Sequence, residues 1–279
     1  MGKIIFLDVD GTLIDYEGKM PESAGKAVDA ARANGHKVYI CTGCSKAEIL
    51  MRHLCDLDGM IGGNGAYVES DGNVVMHQGL TKDEVKHIVD WCNERELGFY
   101  LEANSGMYCN DYMLTQGPDV MFKYILGKGA TPEKAKKALE NFGSGYIHLK
   151  GEDLYREDVN KISFILSSYQ DHLDSKVEFP TLEANTWGGR GELALFGDLG
   201  PAGITKKHAV EVLLDYLKAD PAETISFGDA KIDLSMFECC NFNVAMGNGG
   251  PEIKAAADYI TTDVNDDGLY NAFKHLGLI

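Results

Sequence analysis

No run of about 18 apolar residues occurs anywhere in this 279-residue chain, so no membrane-spanning helix is expected. The amino terminus passes straight into Ile4-Ile5-Phe6 without the layout of a signal peptide, and a cytoplasmic location is the expectation. Basic residues are in short supply: 26 Lys and Arg face 43 Asp and Glu, a formal net charge of −17. That balance argues against nucleic acid or an anionic membrane as the main partner. An anionic substrate stays open, provided that bound metal or a few placed lysines supply local positive charge. The seven cysteines are odd in number and scattered, which suits reduced thiols better than a disulfide framework. Cys41-x-x-Cys44 has a redox-motif spacing, but Cys41 lies in an apolar run and no second pair completes a zinc site, so both read as ordinary thiols. Internal repeats and low-complexity tracts are lacking. So are a Gly-x-x-x-x-Gly-Lys-Ser/Thr loop, a Gly-x-Ser-x-Gly elbow, a His-Glu-x-x-His pair and a complete Gly-x-Gly-x-x-Gly, which removes the usual nucleotide, serine-hydrolase and zinc-protease signatures.

What is present describes a globular protein with room for two domains: 44% apolar and 25% charged residues over this length. Lys3-Ile4-Ile5-Phe6-Leu7 reads as a buried parallel strand, and Asp8-Val9-Asp10-Gly11-Thr12 follows it. If the strand persists, residues two apart point the same way, and both acids face one spot. Two like charges that close require a cation or a shared proton, and a hard divalent ion such as Mg²⁺ suits oxygen donors. Taken alone, the pair reads more readily as a strand end closed by solvated acids; the rest of the chain overturns that reading.

Four further segments repeat the layout of an apolar run ending in Gly and a small or polar residue: 37–43, 59–65, 224–229 and 242–246. Amphipathic stretches at Ser23–Ala33, Ser45–Leu54, Lys206–Leu217 and Pro251–Ala257 alternate with them. This alternation predicts an α/β fold, a Rossmann-like doubly wound parallel sheet, with ligands bound at the carboxyl ends of its strands. Asp8, Asp10, Thr42 and Asp229 all fall at such ends. The middle of the chain differs. After a hairpin with Asp71-Gly72 at its turn, residues 81–187 mix helices (83–95, 132–142) with strand candidates (98–102, 107–110, 146–150, 161–166), and 192–196 adds another. The expectation is a core of residues 1–79 and 191–279 with an inserted α+β cap domain of 80–190, joined through Gln78-Gly79 and the flexible segment Thr186–Gly191. Lys123, Lys128, Lys161 and Arg190 could help the insert hold an anion, although solvated charge is the better reading of each.

The ordered set Asp8-x-Asp10, Thr42-Gly43, Lys206 and Gly228-Asp229 with Asp233 resembles the haloacid dehalogenase superfamily of phosphohydrolases, and its Cof-like branch in particular. The likeness covers the whole core, including 61–66, 201–206, 244–248 and 257–268. It implies that Asp8 is the nucleophile, forming an aspartyl-phosphate, and that Asp10 is the general acid and base. It further implies Mg²⁺ held by Asp8, the Asp10 carbonyl and Asp229, with Asp233 close behind. Thr42, Gly43 and Lys206 would bind the phosphoryl oxygens of a small phosphorylated metabolite, with sugar phosphates the class the resemblance favours.

Three positions depart from that branch. Cys44 stands where Arg usually follows Thr-Gly, Ile232 where Asn often precedes the second aspartate, and Lys207 where Gly is common after the lysine. Two other readings share the same pocket: a phosphosugar mutase using the same aspartate, and a non-catalytic sensor of a phospho-metabolite.

Overall fold

The computed structural model describes residues 2–52, 54–189 and 191–279, so His53 of the expected second helix and Arg190 of the expected linker lie outside the described residues. Contacts divide the chain into two compact units: Met1–Ser45, Ile49–His77 and Ile204–Ile279 form one, and Lys46–Glu48 with Gln78–Gly203 form the other.

The first unit is built on an eight-stranded sheet. Ile4–Leu7, apolar and buried along its whole length, lies near its centre and pairs in parallel with Thr224–Gly228 on one side and Lys37–Cys41 on the other. A strand flanked on both faces cannot alternate polar and apolar side chains, which is why it reads as a continuous apolar run. Phe242–Ala245 and Tyr259–Ile260 extend the sheet in parallel beyond Thr224–Gly228, and Gly59–Gly62 extends it beyond Lys37–Cys41. The hairpin Tyr67–Ser70 with Asn73–His77 closes that edge antiparallel. Its turn places Asp71 at φ 48° and Gly72 at φ 78°, the left-handed pair that Asp-Gly accommodates.

Helices cover both faces. Glu22–Ala33 turns Ala24, Ala27, Val28 and Ala31 onto one, small side chains that let the helix sit close to Leu7, Val38 and Ile40. Lys206–Leu217 lays Ala209, Val210, Leu213 and Leu214 on the other, against Phe6, Tyr39 and Ile61. The doubly wound α/β arrangement expected from the sequence is thus the one observed.

The second unit carries a six-stranded sheet in the order 182–187, 196–201, 159–165, 99–103, 107–109, 146–148, antiparallel except for its last pair. Lys82–Glu94, opened by a capping box between Thr81 and Glu84, packs Val85, Ile88, Val89 and Trp91 onto Phe99, Leu101, Ile162 and Phe164. Met113, from the helix Asp111–Gly127, joins Tyr100, Met107, Cys109, Ile165 and Phe196 in a second apolar cluster.

Here the sequence reading needs three corrections. The helix Asp111–Gly127 falls where the sequence analysis assigned no element; it runs through Gly117-Pro118, a pair that ordinarily disfavours a helix interior, and packing sustains it there. Thr186 and Trp187 are not linker but the end of the strand Leu182–Trp187, paired with Gly197 and Phe196. The segment 192–196 is not a strand: Gly191–Leu193 is a short 3₁₀ turn, and the strand is Phe196–Pro201, which belongs to this second sheet. The return to the first unit therefore comes at Gly203–Ile204 rather than at 190–191.

Candidate active site

Leu7 ends the first strand, but Asp8 still donates its N–H to Phe227 O at 3.0 Å, so the ladder fixes its backbone. Beyond it the chain does not stay extended. Val9 O receives the N–H groups of Thr12, Leu13 and Ile14 at 3.3, 3.0 and 2.9 Å, a tight turn that carries Asp10. Alternation along a strand is therefore not what orients Asp10; the turn does so. Gly11 makes this turn possible. Its φ is +90°, and a Cβ there would meet Asp229 Oδ2 at 2.5 Å.

Lys206 occupies the centre. It sits in the first turn of its helix, just after Thr205, whose hydroxyl caps the helix by accepting His208 N–H at 3.2 Å. The side chain is 1% exposed and its Nζ donates to Asp8 Oδ1 at 2.7 Å and Asp233 Oδ1 at 2.6 Å. Asp233 spends its other oxygen on the N–H groups of Asp229 and Ala230, at 3.1 and 3.0 Å. The close approach of Asp233 to Gly228 leaves no space for a larger residue there, since a Cβ would lie 2.6 Å from that of Asp233. Burial opposes the charge on Lys206, but Asp233 and Asp8 outweigh it and hold the ammonium well above the ordinary lysine value. Asp8 moves up to about 8, first because it is buried and then because Asp233 lies near, with Lys206 offsetting part of the shift.

The ligand atoms of Asp8, Asp229 and Asp233 lie within 4.8 Å of one another. Since both oxygens of Asp233 are already engaged, the carboxylates left to face a cation are those of Asp8 and Asp229. An all-oxygen donor set in a cradle that a Gly11 Cβ would fill fits a small hard divalent ion.

Thr42 and Gly43 lie just past the strand Lys37–Cys41. Thr42 is buried, donates its N–H to Ile61 O at 2.9 Å and accepts Cys44 N–H on its hydroxyl at 3.3 Å. Asn64, at φ 56°, brings its side-chain oxygen to 2.9 Å from where a Gly43 Cβ would stand. That oxygen and the Thr12 hydroxyl are buried with no hydrogen-bond partner among the described residues. Such orphaned polar atoms are costly unless a ligand takes them up.

Four participants went unassigned in the sequence reading. Tyr16 donates its hydroxyl to Asp229 Oδ2; burial and this bond raise its pKa. Asn248 ties the same region together, donating to Gly11 O at 2.7 Å and accepting Val264 N–H at 2.9 Å. Arg52 reaches Asp10, and Asn64 faces Gly43. The Asn between Gly63 and Gly65 was the one visible signal among these, since Asn tolerates the left-handed conformation. Of the three departures, Ile232 is about half exposed and Lys207 reaches Glu238 at 3.4 Å on the surface, while Cys44 lies in the site. Lys161, weighed as an anion ligand, is paired at 3.1 Å with the buried Glu102 in the second unit.

Among the described residues, no helix is long and apolar enough to cross a membrane. A family model described as haloacid dehalogenase-like hydrolase matches residues 5–273. YkrA of Bacillus subtilis (strain 168), a protein assigned as a phosphatase, is 27% identical over 99% of this chain and 98% of its own length. The 5-amino-6-(5-phospho-D-ribitylamino)uracil phosphatase YwtE of the same organism is 26% identical over 96% of this chain and 95% of its own. A solved structure of the subclass IIB sugar phosphatase BT4131 superposes with a TM-score of 0.73 at 27% identity, over 99% of this chain and 100% of its own.

Proposed function

The chain belongs to the haloacid dehalogenase-like hydrolases, and on that premise we propose that it is a Mg²⁺-dependent phosphatase of small phosphorylated metabolites, sugar phosphates foremost, working through an aspartyl-phosphate on Asp8. The observation that carries this reading is the buried Lys206 ammonium held between Asp8 and Asp233. A lysine buried this deeply among carboxylates marks a place where anionic charge is managed.

One oxygen of Asp8 is bonded to Lys206, and the other is left to attack phosphorus. As the new P–O bond forms, the ester P–O bond breaks and protonated Asp10 gives its proton to the departing alcohol. In the second half, Asp10, now a carboxylate, takes a proton from the water that attacks the aspartyl-phosphate. Phosphate leaves and Asp8 is regenerated. Lys206, the Thr42 hydroxyl and the Gly43 N–H hold the phosphoryl oxygens, and Asp233 keeps Lys206 aimed. Asp8, Asp229 and the Asp10 carbonyl would hold the metal ion. When bound, that ion would offset carboxylate charge facing the phosphoryl group and polarise a phosphoryl oxygen as a Lewis acid.

The inserted unit, Gln78–Gly203 in the structure where the sequence suggested 80–190, is proposed as the cap that selects the leaving group. The sugar phosphatase and the phosphoribityl-uracil phosphatase among the similar proteins both act on polyhydroxylated monophosphates, which supports that class of substrate here. A phosphate-release screen over sugar, nucleotide and cofactor monophosphates, with and without Mg²⁺, tests the proposal. Mg²⁺-dependent release from sugar phosphates is expected. Interconversion of sugar-phosphate isomers with little free phosphate would instead identify a mutase, and tight binding without release a sensor.

A further inference from the structure

The carboxylates of Asp8, Asp229 and Asp233 cluster beside the Lys206 ammonium, which bonds the first and the last of them, and Asp10 follows two residues after Asp8. A phosphate monoester would bring still more negative charge. The position where the resembling branch carries an arginine is here Cys44, a neutral thiol. The chain nevertheless brings a guanidinium to the same place from eight residues later. After the helix Lys46–Met51, Arg52 turns back so that its NH1 donates to Asp10 Oδ1 at 2.5 Å and its NH2 to Cys44 Sγ at 3.3 Å. The Cys44 thiol lies 3.8 Å from the other Asp10 oxygen, and Cys44 N–H bonds the Thr42 hydroxyl at 3.3 Å. Arg52, Cys44 and Thr42 thus form one connected edge of the pocket with Asp10.

We propose that Arg52 is the positioning residue for Asp10: its guanidinium holds the carboxyl in the orientation that serves the leaving oxygen, and its charge takes the place of the cation that Cys44 cannot supply. The inference rests on the phosphatase reading above and deepens it. Two features separate this role from a structural one. The pair is open to solvent, with 27% of the Arg52 side chain and 46% of the Asp10 side chain exposed, and ion pairs that open contribute little to folding. The Asp10 turn is also closed by its own backbone bonds to Val9 O and by Gly11 N–H donating to Ile14 O at 2.7 Å, so the backbone does not depend on Arg52.

A proton donor matters most for a leaving group that cannot depart as an anion. The test therefore compares phenyl phosphate, whose leaving group is basic, with p-nitrophenyl phosphate, whose leaving group departs readily without a proton. Wild type, Arg52→Ala, Arg52→Lys and the double variant Cys44→Arg/Arg52→Ala are assayed with Mg²⁺, alongside thermal melts. If Arg52 positions Asp10, Arg52→Ala lowers kcat/KM for phenyl phosphate at least about 10-fold more than for p-nitrophenyl phosphate, within the range that general acid catalysis supplies. Arg52→Lys retains part of the difference, the double variant recovers it, and the melts coincide. An equal loss on both esters, or no loss on either, overturns the role of Arg52 and leaves the phosphatase reading standing. Failure of wild type to release phosphate from these esters and from every sugar phosphate of the screen overturns the reading itself and this inference with it.

Discussion

Replacing Lys206 by methionine removes a charge that the first unit buries almost completely while keeping most of the side chain's length. The ammonium bonds Asp8 at 2.7 Å and Asp233 at 2.6 Å, and methionine offers neither carboxylate a donor. Asp233 retains the two N–H groups of Asp229 and Ala230, but Asp8 is left buried with no cation. Breaking a buried pair by removing one partner costs about 3–5 kcal/mol, because the remaining charge is uncompensated. For a unit of about 150 residues, each kcal/mol moves the melting temperature by about 2–4 °C, so a fall of roughly 6–20 °C is expected in metal-free protein. Calorimetry of wild type and Lys206→Met in EDTA, run at a pH above about 8 so that Asp8 is ionised in the folded protein, reads it directly. The double variant Lys206→Met/Asp233→Asn should cost less than the sum of its two singles, since the second change removes part of the charge the first one strands. A Lys206→Met melt within about 1 °C of wild type, or strict additivity in the cycle, would refute the charge-clamp argument.

Three further outcomes follow from the same geometry. Tyr16→Phe removes a hydrogen bond to the Asp229 carboxylate that competes with a cation; such bonds are worth about 1.5–3 kcal/mol, so Mg²⁺ affinity measured by titration calorimetry should tighten about 10-fold or more, and unchanged affinity would contradict this. In metal-free protein the folded state keeps the Asp8 proton up to about 8 while the unfolded chain releases it near 3.8, so stability should fall as pH rises through that window and Asp8→Asn should flatten the slope; an identical slope in both proteins would assign it elsewhere. EDTA should abolish phosphatase activity and Mg²⁺ restore it, whereas Asp229→Ala should need far more Mg²⁺ for half-maximal activity; an unchanged requirement would remove Asp229 from the metal's donors.

The sheet and its helices were legible because buried parallel strands announce themselves as short apolar runs, and Lys206–Leu217 was readable to the residue from its periodicity. The inserted unit was harder. Gly117-Pro118 hid a helix whose stability comes from packing, and Thr186-Trp187-Gly188-Gly189 disguised the end of a strand that long-range pairing creates. In the candidate site, residues at strand ends could be named from sequence, and the structure brings Asp8, Asp229, Asp233 and Lys206 together. Arg52 and Tyr16 could not be named, since each reaches the site through a turn that no local pattern encodes. The departure at Cys44 suggested a missing cation, and only the folded chain brings the Arg52 guanidinium to Asp10 and Cys44.

The aspartyl-phosphate on Asp8 is the claim on which the mechanism stands, and it can be weighed. Asp10→Asn keeps the nucleophile but lacks the base that activates water, so mixing it with p-nitrophenyl phosphate and Mg²⁺ and quenching in acid should trap the intermediate. Intact-mass measurement should then show one added phosphoryl group, mapped by peptide analysis to Asp8 and absent from Asp8→Asn/Asp10→Asn. Turnover by Asp8→Asn at the wild-type rate, or a phosphoryl group mapped to any other residue, would contradict the account.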